Sequence, residues 1–90
     1  MQLADFYDTI ADDPRINAFH VSLYFALVHQ WEQSGKPASF ELDKGVLMKN
    51  SKVSSRTTYD KLLHDLHSFG YIIYHPVSGR GKSLVEIKRI

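Results

Sequence analysis

The segment from Ile16 to Gln33 constrains the fold most, because it reads as a helix that is apolar on two faces. Ile16, Phe19, Leu23, Leu27 and Trp31 recur every three or four residues and form one stripe. Val21, Tyr24, Phe25 and Val28 form a second, roughly 140° around at about 3.6 residues per turn. A helix apolar over that much of its circumference must be covered on two sides. One side is the core of the domain. The other is covered either by the first helix or by a second copy of the chain. At 90 residues the chain makes one domain with one core, and has no room for a separate catalytic or ligand-sensing domain.

The flanking segments supply the rest of the domain. Upstream, within residues 1–13, Leu3, Phe6, Tyr7 and Ile10 make the single stripe of a short helix, which Asp12, Asp13 and Pro14 end. The long core helix, within residues 14–35, stops at Ser34-Gly35-Lys36-Pro37. Phe40-Glu41-Leu42 alternates like a very short strand. Asp43 stands at the N-cap of a two-turn helix through Val46, Leu47 and Met48, in which Gly45 costs up to ~1 kcal/mol against Ala. Lys52-Val53 reads as a tight turn with Val53 directed into the core. Ser54 or Ser55 caps a further helix that runs to Phe69, with Gly70 at its C-terminal cap. Tyr59, Leu62, Leu63, Leu66 and Phe69 form its buried stripe. Thr57, Lys61, His64 and Ser68 lie on the opposite face, flanked by Asp60 and Asp65. Residues 70–90 read as a β-hairpin: Tyr71-Ile72-Ile73-Tyr74-His75 and the alternating Leu84-Val85-Glu86-Ile87-Lys88-Arg89-Ile90 around a loop with two glycines and two cations. The glycines permit close backbone approach to a partner, and the cations suit a phosphate.

Charge is divided along the chain. Residues 1–35 carry one cation against five anions, a net −4, and residues 36–90 carry ten cations against five anions, a net +5. The second part is therefore expected to face something anionic. No apolar run approaches the ~20 residues of a membrane span. The acidic start MQLADFYDTIADD lacks the order of a signal peptide, and there is no Cys for a disulfide or thiolate zinc site. A soluble cytoplasmic protein is the expectation. His64 and His67 lack a third metal ligand at a recognisable spacing. His20 and His29 read as partly exposed polar residues on a helix flank. With no phosphate loop, nucleophile motif or acidic pair, the chain is read as a non-enzyme without cofactor, metal or small-molecule ligand.

Helix, turn, helix, glycine, strand, basic loop, strand is the order of a winged helix-turn-helix, an α+β fold with a three-helix core, here carrying an extra N-terminal helix. Ser55-Arg56-Thr57-Thr58-Tyr59, followed by Leu63, Leu66 and Gly70-Tyr71-Ile72, resembles the S-R-T-T-V…L..L…G-L-I run of GntR-type regulators. Gly79-Arg80-Gly81 is similar to the wing tip of the same group. The likeness covers residues 38–90 and extends to MarR-like and mobile-element relatives. It implies a recognition helix in the major groove of double-stranded DNA. Ser55, Arg56, Thr57 and Lys61 would be contacts with Lys52 and Ser54 beside them, and Arg80 and Lys82 would reach phosphate or minor groove from the wing. The sequence departs from the pattern at Asp60, where Arg is frequent, and in a turn one residue longer. The implied function is a small sequence-specific DNA-binding regulator of bacterial, phage or mobile-element type; the alternative is a protein-interaction module on the same fold. A homodimer paired through residues 1–33, basic halves outward, is expected, because one recognition helix reads only a few base pairs.

Overall fold

Seven elements follow one another along the described residues 3–77 and 82–88 of the computed structural model. They are α1 (Leu3–Ala11), α2 (Ala18–Gln33), β1 (Phe40–Glu41), α3 (Lys44–Ser51), α4 (Arg56–Ser68), β2 (Ile72–His75) and β3 (Leu84–Ile87). The result is a small α+β domain with an antiparallel sheet in the order β1-β3-β2. No helix among the described residues is long and apolar enough to cross a membrane.

α2 starts where Asn17 satisfies its first donors. The Asn17 side-chain oxygen accepts the N–H groups of Phe19 and His20, and His20 Nδ1 accepts the N–H of Asn17 at 3.0 Å. This is a reciprocal capping box with His where Glu or Gln is usual. α2 ends at Gly35, whose φ of +87° lets the N–H of Lys36 reach the carbonyl of Trp31 at 2.9 Å. Leu23, Tyr24, Ala26 and Leu27 are buried between those ends, and the Trp31 indole N–H donates to the Pro37 carbonyl.

Two expectations for this helix are corrected. Phe19, placed in the first stripe, is 58% exposed, while Tyr24 of the second stripe is buried in the core. Down the helix axis, at about 100° per residue, Phe19 lies inside the buried arc and Tyr24 only about 20° from Trp31. The core takes the arc from Ala26 to Tyr24, and Phe19, although within that arc, stands in the first turn at an open helix end. His20, read as partly exposed, is 3% exposed because α4 covers it.

α1 is attached at its C-terminal end. Ile10 is buried, whereas Tyr7 is 56% exposed; the side chains of Leu3 and Phe6 lie outside the described residues. Past α1, Asp13 accepts from the Arg15 side chain and from the Tyr71 hydroxyl at 2.7 Å. The bond from Arg15, then that from Tyr71, holds the Asp13 carboxyl well below the usual carboxylate range. Burial, then the bond to Asp13, pushes the Tyr71 phenol up to about 12. Arg15 lies over the Phe69 ring at 4.4 Å, so residues 13–15 clasp the end of α4.

The sheet closes the opposite side of the core. Phe40 pairs with Val85 and Ile72 with Ile87, and all but the half-buried Ile87 are buried. The hairpin thus gains a third strand from the segment before α3. Leu42 extends that pairing by donating its N–H to the Ser83 carbonyl at 2.9 Å.

Candidate nucleic-acid interface

The corner between α3 and α4 is built by local rules. Asp43 caps α3 through the N–H of Val46. At the other end Lys52 adopts the left-handed conformation, φ +64°, and the N–H of Val53 reaches the Met48 carbonyl at 3.1 Å. Val53 is thereby driven into the core, as its apolar side chain at that point of the turn requires. Ser55, not Ser54, caps α4, its Oγ accepting the N–H of Thr58 at 3.3 Å. The N–H groups of the first turn of α4 have no helical carbonyl to bond, and the helix dipole makes that end positive.

Tyr59, Leu62, Leu63 and Leu66 bury the inner face of α4, so Arg56, Thr57, Asp60, Lys61, His64 and Ser68 face outward. Of the sequence-predicted contact residues, Lys52, Ser54, Ser55, Arg56 and Thr57 are exposed together around the turn and the start of α4. Lys61 is exposed as well, but its Nζ lies 2.7 Å from Asp65 Oδ2. The same carboxylate oxygen lies 2.9 Å from His20 Nε2. Because His20 Nδ1 accepts a backbone N–H, Nε2 carries the proton and donates to Asp65. Lys61 first and His20 second hold the Asp65 carboxyl below its ordinary range. Asp60, the acid at the outer face, lies 3.5 Å from Lys44 Nζ, which also sits over the Tyr59 ring.

The hairpin is docked on α4 by the two histidines. His64 meets the Tyr74 ring edge-on at 5.4 Å, and His67 Nδ1 accepts the N–H of Tyr74 at 3.0 Å. Among the described residues no group of three or more His, Asp or Glu side chains could hold a metal ion. Lys82 is exposed beside an open cleft of about 370 Å³ between Lys44, Asp60 and Tyr74. Gly79, Arg80 and Gly81 lie outside the described residues, so the hairpin tip has no place in this geometry.

Sequence reasoning missed Lys49 and Phe19. Lys49, Lys52 and Arg56 form no ion pair among the described residues and together surround the turn. Lys49 could have been found from its place in the last turn of α3, one helical turn before Lys52. Phe19 lies across a shallow hollow from Lys52, Ser54 and Thr58, and nothing in the periodicity of α2 separates it from a core residue.

Lys52 stands out among the helix ends. Gly35 and Gly70 occupy the same left-handed position after α2 and α4, with φ of +87° and +88°. A side chain there costs ~1–2 kcal/mol, and glycine returns part of that as lost unfolded-state restriction. Lys52→Gly is therefore expected to raise stability by ~0.5–1 kcal/mol in denaturant unfolding. A stability loss would mean that the lysine serves the fold.

Compared with protein families, with curated proteins and with solved structures, the chain matches none.

Proposed function

We propose that the chain is a winged helix-turn-helix domain that binds double-stranded DNA sequence-specifically, with α4 as recognition helix, and acts as a small transcriptional regulator by occupying its site. The observation that carries this reading is the cluster of Lys49, Lys52 and Arg56, unpaired among the described residues, around the positive end of a helix. That helix turns Thr57 and Lys61 outward as well. Cations that serve neither the core nor an ion pair are free to neutralise phosphates, and the first-turn N–H groups suit the same oxygens.

The element order supports the fold assignment. α2, β1, α3, α4, β2 and β3, with β3 between the other strands, set a hairpin beside an exposed helix face, where both can meet one duplex. In that arrangement Arg56, Thr57 and Lys61 face base edges and phosphates, and Lys82 reaches backbone from the hairpin. Lys61 exchanges Asp65 for a phosphate on binding, and Asp60 reads a cytosine amino group or stays with Lys44.

Duplex titration at two salt concentrations tests the proposal. Five phosphate contacts, from Lys49, Lys52, Arg56, Lys61 and Lys82, give a log–log slope of about −4.5 and a roughly 500-fold loss of affinity between about 50 and 200 mM salt. Affinity that ignores salt, or no binding at the lower concentration, would overturn the DNA reading in favour of a protein-interaction module.

A further inference from the structure

The two most exposed large apolar side chains among the described residues, Phe19 and Tyr7, belong to surfaces of opposite charge. Phe19 walls a hollow that shares Lys52, Val53 and Ser54 with a second hollow between Met48 and Lys49. Together they form a continuous groove across the α3–α4 turn, with Val53 beneath and two unpaired lysines on its rim. Those lysines are three residues apart, about one helical turn. Asp8 and Asp12 of the α1 region, both exposed and likewise one turn apart, share the side away from the buried Ile10, and Tyr7 lies about 100° around the axis from Asp8. α1 belongs to the part of the chain with net charge −4, the groove to the part with +5.

The helix cannot serve its own groove. Ile10 is buried in its own domain, and Asp13 is tied to the Tyr71 hydroxyl at 2.7 Å, so α1 is anchored with Asp8 and Asp12 turned out, while the half-exposed Tyr7 borders a hollow with Ile16 and Val21 of its own chain. We propose that two copies of this chain associate reciprocally, the Asp8–Asp12 side of α1 in each docking against the Lys49–Lys52 rim of the Phe19 groove of the other. A two-fold axis between the copies would make the two helix-to-groove contacts equivalent and close the assembly at two. Pairing residues 1–33 of both copies face to face would instead set net −4 against net −4. The competition that follows rests on the proposed function: Lys52, Ser54 and Ser55 serve both the groove and the duplex, so self-association and DNA binding exclude each other. Self-association itself is independent of that reading and is measured without DNA.

Sedimentation equilibrium of the full chain and two charge-reversed forms decides it. Lys49→Glu with Lys52→Glu faces its own α1 with like charge, and so does Asp8→Lys with Asp12→Lys, whereas an equimolar mixture of the two is complementary at both contacts. All four positions are exposed, and thermal melting checks that each variant folds. The wild type is expected to dimerise at low salt, with Kd rising about tenfold or more on going to high salt. Each variant alone should be a 10.3 kDa monomer, and the mixture should regain the dimer. A wild type that stays monomeric up to millimolar concentration at low salt overturns the proposal. So does a dimer that both variants retain and salt leaves unchanged, which places the contact on another face, residues 1–33 included. If duplex titration fails while the mixture dimerises, the self-association stands and only the competition falls.

Discussion

Leu66→Ala is expected to cost ~2–5 kcal/mol of folding stability, while Arg56→Ala leaves the melting temperature nearly unchanged and weakens duplex binding. Leu66 is buried on the inner face of the last turn of α4, and its carbonyl accepts the N–H of Tyr71 at the helix end. Truncation removes its contacts with the core and leaves a cavity, a loss comparable to much of the ~5–15 kcal/mol that holds a small domain. Leu63→Ala should behave alike, since Leu63 is equally buried. Arg56 is exposed and makes no ion pair among the described residues, so the folded state loses little without it. Denaturant unfolding and duplex titration of both variants separate the two faces. Equal destabilisation by Arg56→Ala and Leu66→Ala would mean that α4 presents its other face to solvent.

His20→Ala should lower stability by ~3 kcal/mol, combining a cavity worth ~2 with lost hydrogen bonds worth ~1. The ring is 3% exposed and packs against Phe69, with centroids 5.8 Å apart. Its Nδ1 closes the cap of α2 and its Nε2 proton binds Asp65, so one side chain joins the start of α2 to the outer half of α4. His20→Gln keeps an acceptor at the usual capping-box position and gives up the reach to Asp65, so its loss should be nearer ~1 kcal/mol. Guanidinium unfolding of both variants measures the difference. Equal, negligible losses would show that the ring joins nothing.

The parts of this fold written in local chemistry were legible in the sequence. The Asp43 cap, a serine cap at residue 54 or 55, the glycine at residue 70 and the tight turn before Val53 each depend on neighbours a few positions away. The buried stripe of α4 was legible too, because one-sided burial leaves a clean period. The doubly apolar α2 was not. With apolar residues around most of its circumference, periodicity cannot say that the buried arc extends as far as Tyr24 or that it stops short of Phe19 in the first turn. His20 escaped notice because its two partners are a backbone N–H and a residue 45 positions on. The exposed residues of the candidate interface could be picked from type and position. The ion pairs that engage Lys61 and Asp60 could not, since both acids and both lysines read equally well as solvated charges.

The place of β3 between β1 and β2 has a consequence for how the domain assembles. The central strand is the last of the three along the chain, and its pairing of Phe40 with Val85 spans half the sequence. During synthesis neither outer strand has a partner until β3 has emerged, and closing so long a loop must precede any sheet hydrogen bond. The helices, whose contacts are more local, can collapse around Leu23 and Leu27 beforehand. Commitment to the native state therefore waits on a four-residue strand, and a nascent chain stalled before Leu84 carries two open strand edges exposed to other chains.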